Sequence, residues 1–207
     1  MKIHHLNLGE LKSNCYIIET EPGRCVAVDI GGDSKMLINY LIMKKLRLSK
    51  ILLTHGHYDH MNGVAEVAEA TGAEVYIHED DAHMLESASA SLASFMSVIT
   101  FRPVHRFISI DDDCIIADGN LSFRVLHTPG HTPGSVCYIC DDTIFSGDTL
   151  FCCSIGRTDF PGSDIHAMRS SLKRIVALDG DYKVYPGHNE STTLAYERIN
   201  NPYLSRL

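Results

Sequence analysis

The stretch Ile51-Leu52-Leu53-Thr54-His55-Gly56-His57-Tyr58-Asp59-His60 decides how this chain is read. An apolar run ends in a loop that packs three imidazoles and one carboxylate into the six residues His55 to His60. Imidazole and carboxylate together suit zinc, iron or manganese. Four such groups in one short loop exceed what a single tetrahedral ion takes when further ligands come from elsewhere. Two metal ions are therefore expected. Side chains alternate in the extended start of the loop, so His55 and His57 face one side and share one ion. After Tyr58 the chain turns toward a helix opened by Asn62, which directs Asp59 and His60 to a second ion.

Three later segments place a metal-capable side chain directly after a glycine that ends an apolar or strand-like run. They are Pro129-Gly130-His131, Ser146-Gly147-Asp148 and Pro186-Gly187-His188. Glycine lets the backbone turn sharply where a strand gives way to a loop, so each ligand projects from a strand's end. Ligands at the ends of several strands meet along one rim of a sheet and form one pocket. Taken singly, His131 or His188 reads as a structural histidine and Asp148 as a turn cap. As an ordered set behind the first motif they read as ligands. His4, His5, His78, His83, His105, His127 and His166 lack this spacing and read as packing residues, with His127 near enough in sequence to support the site.

Composition bounds the rest. The chain has 207 residues and 44% hydrophobic content, which suits a single globular domain over residues 1–207. Eighteen basic against 26 acidic side chains give 18 − 26 = −8, with no basic stripe. Binding to nucleic acid or an anionic membrane thus has no electrostatic support. No long apolar segment follows Met1 and none elsewhere suffices to span a bilayer, so a cytoplasmic location is expected. Seven scattered cysteines are expected as reduced thiols. Cys137-Tyr138-Ile139-Cys140 has redox or zinc spacing, but it sits in a strand-like run where cysteine acts as a small buried hydrophobe. Cys152-Cys153 reads as packing beside a loop.

Short β-branched runs alternate with helical patterns. Strands are expected at 16–18, 25–28, 50–53, 74–77, 121–126, 136–139, 143–145 and 183–185, which makes an α/β chain with two stacked sheets and helices outside. Ser34 is expected to cap a helix through about Leu46. Asn62 opens one closed by Gly72, and Ser163 or Asp164 opens another ending near Leu178. The small, hydroxyl-rich stretch between about Ser87 and Arg106 reads as a weak helix or a mobile flap.

His55, His57, Asp59 and His60 match the HxHxDH motif of the metallo-β-lactamase superfamily, and His131, Asp148 and His188 match its later ligands. The resemblance runs from Ser13-Asn14-Cys15-Tyr16 and Val28-Asp29 to Thr192-Thr193. It implies a four-layer αββα sandwich with the metal site at one rim of the two sheets. It further implies one metal on His55, His57 and His131, a second on Asp59, His60 and His188, and Asp148 bridging them. The cofactors are then two divalent metal ions, zinc first, with iron or manganese as alternatives.

Two divalent cations set against Asp59, Asp148 and one hydroxide leave a centre of about +1, suited to an anionic intermediate. Such ions lower the pKa of bound water to about 7 in favourable cases and polarise a carbonyl. Hydrolysis of an ester-like carbonyl is expected, with a metal-bridging hydroxide as nucleophile and Asp59 orienting it. No GxSxG elbow is present. The segment Ser154-Ile155-Gly156-Arg157-Thr158-Asp159-Phe160, with Thr192-Thr193, resembles the glyoxalase II-like (hydroxyacylglutathione hydrolase-like) branch, particularly its short single-domain members, which implies a small-molecule thioester substrate. Arg157 is placed to grip a substrate carboxylate, or to pair with Asp159 or Asp164. The separate C-terminal glutathione-binding helical domain of full-length glyoxalase II is not expected here. The rival is a persulfide dioxygenase of the same superfamily, with one iron on His55, His131 and Asp148. Phosphodiesterase (nuclease) and lactonase activities rank lower.

Overall fold

The structure, a computed structural model, describes residues 1–96 and 100–207. The first sheet runs in chain order through β1 (Lys2–Leu8), β2 (Ser13–Glu21), β3 (Arg24–Val28), β4 (Arg47–Leu52), β5 (Glu74–His78) and β6 (Ile108–Ile110). Its first three strands pair antiparallel and the pairs from β3 to β6 are parallel. The second sheet starts with β7 (Ile115–Asp118), β8 (Leu121–His127), β9 (Val136–Cys140) and β10 (Thr143–Gly147). A small hairpin of β11 (Leu150–Phe151) and β12 (Ser154–Ile155) follows, and the sheet is completed by β13 (Lys183–Pro186) beside β10 and β14 (Thr192–Thr193) at the edge.

Side-chain alternation builds four layers from these strands. Tyr16, Ile18, Val26 and Val28 meet Phe123, Val125, Val136, Tyr138 and Phe145 between the sheets. The intervening Cys15, Ile17, Cys25 and Ala27 face outward onto α1 (Ser34–Lys44), α2 (Tyr58–Met61) and α3 (Val64–Thr71), through Leu37, Leu41, Met61, Val64 and Val67. On the other side Cys137, Ile139 and Ile144 pack on Met168, Leu172 and Ile175 of α4 (Ile165–Val176). Leu194 of the last helix, α5 (Leu194–Asn200), joins the same cluster. The CxxC pair is thereby split, Cys137 on the helix side and Cys140 between the sheets. Burial pushes both thiols up to about 11, as expected of packing residues.

Two helix starts differ from the sequence expectation. Asp33, with φ of 49°, precedes α1, and Ser34 lies inside the helix with its hydroxyl turned to Gly63 O. Asn62 closes α2, and Gly63 is the residue before α3. Neither start has a side-chain cap: Asp33 is left-handed and accepts from Gly9 N, and Gly63 packs closely on Ile30 and Gly32. Asp164 does cap α4, accepting from the amides of His166 and Ala167. Between Ser87 and Arg106 the described residues form turns and one 3₁₀ turn at Ala93–Phe95. Ser97 to Ile99, part of the expected weak helix or flap, lie outside the described residues. Among the described residues no helix is long and apolar enough to cross a membrane.

At one rim the sheets are tied by hydrogen bonds that run between them. Val136 N donates to Thr54 O at 2.8 Å, and the buried Tyr138 hydroxyl donates to Leu53 O at 2.8 Å. Tyr16 Oη and Asn14 Nδ2 reach from β2 to Pro186 O at 2.7 and 2.9 Å. These bonds fix where the loops after β4 and β13 emerge. Tyr138→Phe strands the Leu53 carbonyl in the core and is expected to cost about 1–3 kcal/mol, read as a lowered urea midpoint with an unchanged slope.

Candidate metal centre

Every ligand candidate emerges at that rim. His55 and His57 follow the end of β4. Asp59 and His60 lie on α2, His131 in the turn after β8, Asp148 after β10, and His188 after β13. Gly147 takes a left-handed φ of 48° as β10 ends, which a side chain there would resist. Gly187 serves close approach instead, since a Cβ on it would overlap Asp148 Oδ1 and the His60 ring. The turning role expected of glycine thus holds at Gly147, and clearance is the role at Gly187. Gly187 N donates to Gly147 O at 2.8 Å, so Asp148 and His188 leave the sheet side by side.

The structure brings His55, His57 and His131 into one group whose donor atoms lie within 4.8 Å of one another, and Asp59, His60 and His188 into another. A third group, His55, His60 and Asp148, joins them. Asp148 presents Oδ1 to His60 Nε2 at 3.4 Å and Oδ2 to His131 Nε2 at 3.5 Å, so one carboxylate faces both clusters. His188 Nε2 lies 3.1 Å from Asp59 Oδ2 and 3.2 Å from His60 Nε2. His57 Nδ1 lies 3.0 Å from His131 Nε2.

Outer partners set the ring orientations. His60 Nδ1 donates to Asp29 Oδ2 at 2.8 Å and His131 Nδ1 to the Arg157 carbonyl at 2.8 Å, leaving each Nε2 turned inward. Thr54 Oγ1 donates to Asp29 and stands 3.1 Å from His55 Nδ1. His55 Nε2 and Asp148 Oδ1 are then buried with no hydrogen-bond partner. A buried lone pair left unmatched costs about 1–3 kcal/mol. Two of them, one on an imidazole and one on a carboxylate, fit a cation.

Charge sorts the rings. Burial, reinforced by neighbouring imidazoles, pushes His55 well down, and pushes His57 down to about 3. Burial opposes a charge on His60 too, yet Asp148, Asp59 and Asp29 outweigh it and hold its proton up to about 10. Asp59, despite its burial, is held well below the usual carboxylate range by His60 and His188. The neutral rings and the ionised Asp59 are the forms in which these groups bind metal. At His60 a cation must displace a proton.

Arg157 lies in the pocket wall. Its Nε and Nη2 pair with both oxygens of Asp159 at 2.9 and 2.8 Å, and its guanidinium lies 4.2 Å over the Phe160 ring. The pair with Asp159 is thus formed, and the backbone of Arg157, through His131, is nearer the centre than its charge. Two carboxylates that support the site were given no role by the sequence. Asp29, at φ 55°, accepts from Thr54 N, Thr54 Oγ1 and His60. The fully buried Asp81 accepts from Gly56 N, Gly134 N and Thr132 Oγ1, tying the first motif to the His131 turn. Asp29 carries a legible signal, a carboxylate after a strand and before Gly31-Gly32. Asp81 carries none, because the run Glu79-Asp80-Asp81 reads as solvated surface. His127 stacks on His78 at 3.9 Å, and with Asp80 these two form a separate group of donor atoms that includes none of the ligand candidates.

The sequence matches the metallo-beta-lactamase superfamily over residues 8–188, and the chain belongs to it. Hydroxyacylglutathione hydrolase GloC of Haemophilus influenzae is 32% identical over 99% of both chains. Among solved structures, the BLEG-1 B3 metallo-beta-lactamase superposes with a TM-score of 0.90 at 34% identity, over 99% of this chain and all of that one. TTHA1623, solved in a di-iron-bound form, superposes with a TM-score of 0.87 at 36% identity, over 97% of this chain and all of that one. The four-layer α/β architecture is that of the superfamily. The superfamily is one of metal-dependent hydrolase-type enzymes, and the His/Asp clusters of this chain offer donors of the kind that divalent metals take.

Asp29→Asn removes one acceptor from His60 and Thr54 without altering volume. Metal affinity is expected to fall about 10–100-fold in competition with a chromophoric chelator, with an unchanged far-ultraviolet circular dichroism spectrum.

Proposed function

We propose that the chain is a binuclear hydrolase of a thioester or related ester-like carbonyl. The observation that carries this is Asp148, whose two oxygens face the two three-ligand clusters. His55, His57 and His131 would hold one divalent ion, Asp59, His60 and His188 the other, with Asp148 common to both. Zinc is the first choice. The di-iron form of TTHA1623 makes iron the second, and manganese suits the same donors.

When bound, the ions supply an activated water at neutral pH and polarise the carbonyl. Asp59, ionised by its histidine neighbours, is an acceptor only and orients the attacking water through its O–H. The imidazoles of His131 and His60 stay fixed through their Nδ1 atoms by Arg157 O and Asp29, so their geometry is kept without reorganisation. The substrate occupies a cavity of about 1110 Å³ whose walls include Phe95, Phe151, Ile155 and Phe160 beside Arg157 and the ligands. This accommodates an acyl group and a thiol portion together. Arg157 is released to a substrate carboxylate by exchange with Asp159, an exposed pair of the kind worth about 0–1 kcal/mol.

The hydroxyacylglutathione hydrolase relative supports a thioester, with S-lactoylglutathione as first substrate to assay. The reading as a one-iron dioxygenase on His55, His131 and Asp148 would leave the Asp59, His60 and His188 cluster without a task. A lactone or β-lactam offers the same carbonyl chemistry and belongs in the panel. A phosphodiester lacks a basic groove to follow its backbone.

Asp59→Ala and His131→Ala are expected to lower kcat at least about 100-fold under anaerobic conditions in metal-loaded, folded protein. Arg157→Ala is expected to raise KM for an acidic thioester about tenfold with kcat nearly unchanged. Full turnover by the metal-verified Asp59 or His131 variant overturns the assignment, and so does iron-dependent oxygen uptake with a persulfide in the absence of hydrolysis.

A further inference from the structure

The β11–β12 hairpin has a two-residue tip, and both residues are cysteines. Cys152 lines the active pocket and Cys153 is exposed at its edge. Their sulfurs and the Glu197 carboxylate lie within 4.8 Å of one another. Cys153 holds a left-handed φ of 54°, a conformation that a turn usually assigns to glycine or asparagine. The tip is anchored from α5. Cys153 N donates to the buried Glu197 Oε2 at 2.9 Å, and Asn201 Nδ2 bridges Glu197 Oε2 at 2.8 Å and Ser154 O at 3.0 Å. Glu197 Oε1 is taken by Thr192. The carboxylate is therefore committed to the hairpin backbone, and the two thiols are the reactive groups.

The other five cysteines are poor competitors. Cys15, Cys25, Cys137 and Cys140 are buried. Cys114 Sγ lies 2.7 Å from the Asp111 carboxylate, which holds its proton. Thiol exchange requires access, and among the described cysteines Cys153 is the exposed one, with Cys152 as its neighbour.

The hairpin also touches the metal centre. Phe151, before the tip, sets its ring edge-on to His188 at 6.4 Å. After the tip, a methyl on Gly156 would overlap the Asp148 carbonyl, and the Arg157 carbonyl orients His131. Residues on both sides of the two thiols thus abut three of the ligand candidates. The tip and these contacts belong to one short stretch of chain, Phe151 to Arg157.

We propose that Cys152-Cys153 is a thiol–disulfide exchange site through which a low-molecular-weight disulfide weakens the metal centre. The Cys153 thiolate attacks the disulfide R–S–S–R, the S–S bond breaks, and one RS⁻ leaves and takes up the proton. Cys152 then attacks the Cys153 sulfur of the mixed disulfide and expels the second RS⁻. Two protein thiols are oxidised to one disulfide and R–S–S–R is reduced to two RSH. Adjacent Cα atoms stand about 3.8 Å apart across a trans peptide, under the roughly 4.4–6.8 Å of ordinary disulfides. The closed pair is strained and returns readily to the dithiol, which makes the modification reversible. The proposal does not depend on which carbonyl the enzyme hydrolyses.

The test treats metal-loaded full-length chain with increasing glutathione disulfide, alkylates the remaining thiols, and maps every cysteine by peptide mass. Chelator competition and turnover are measured on the same samples. A mixed disulfide on Cys153 followed by a Cys152–Cys153 disulfide is expected, with metal retention falling about tenfold, the size of a disturbed outer partner, and recovering on reduction. Cys153→Ser should keep the untreated metal affinity and lose the response. Cys152→Ser should stop at the mixed disulfide. The proposal is overturned if Cys152 and Cys153 stay alkylatable while Cys114 or another cysteine reacts, or if the disulfide forms and metal retention does not change. Loss of metal retention on oxidation in protein that hydrolyses no thioester would uphold this site while rejecting the thioester reading.

Discussion

One buried carboxylate carries much of the geometry at the rim. Asp29 sits at the end of β3, nearly inaccessible, in a left-handed conformation. Its oxygens accept from Thr54 N, Thr54 Oγ1 and His60 Nδ1 at 2.7–2.8 Å. Thr54 starts the loop that bears His55 and His57, and His60 belongs to the second cluster. A burden of this kind is tolerable in a protein interior when each carboxylate oxygen finds a donor. Asp29 meets that condition by gripping the two halves of the motif at once. Asp81 does the same for the Gly56 loop and the His131 turn.

With those loops fixed, the electrostatics of the centre follow. Four imidazoles are buried within contact of one another, and burial drives His55 and His57 neutral. His60 goes the other way because three carboxylates surround it. Such a cluster is poised to exchange protons for divalent cations. Asp148 suits the proposed binuclear arrangement, since it turns one oxygen to each cluster. A hydrolase reading needs both clusters, whereas the one-iron reading uses three residues and leaves the others without work.

Much of this was legible because two simple periodicities govern it. Alternation in 16–18, 25–28, 136–139 and 143–145 marks strands that divide their side chains between two layers, and the two-sheet sandwich follows. That these ligand candidates would meet was legible because the same grammar, a strand, a glycine and a metal-capable side chain, recurs three times behind the first motif. Illegible were features that depend on long-range contact. β1 was missed because the polar His4, His5 and Asn7, which fall on both of its faces, break the apolar pattern of a strand. The starts of α1 and α3 differ from the expectation because Asp33 is tied to Gly9 and Gly63 to Ile30 and Gly32, long-range contacts that local capping preference does not report. Asp81 looked like surface because only the folded chain brings Gly56, Thr132 and Gly134 to it. Arg157 was read for its charge. In the fold its carbonyl orients His131 while its guanidinium is held by Asp159 and Phe160.

The similarity to GloC, to BLEG-1 and to TTHA1623 places the chain among enzymes that share one scaffold, and scaffold alone does not choose a substrate. The central claim is that both clusters act together on a carbonyl. It is tested most directly by titrating metal-stripped protein with zinc, and separately with ferrous iron, under anaerobic conditions while following thioester hydrolysis. Turnover that rises to a maximum at two equivalents per chain is the predicted result. A maximum at one equivalent, unchanged by the second, or activity that appears only with oxygen, would contradict it.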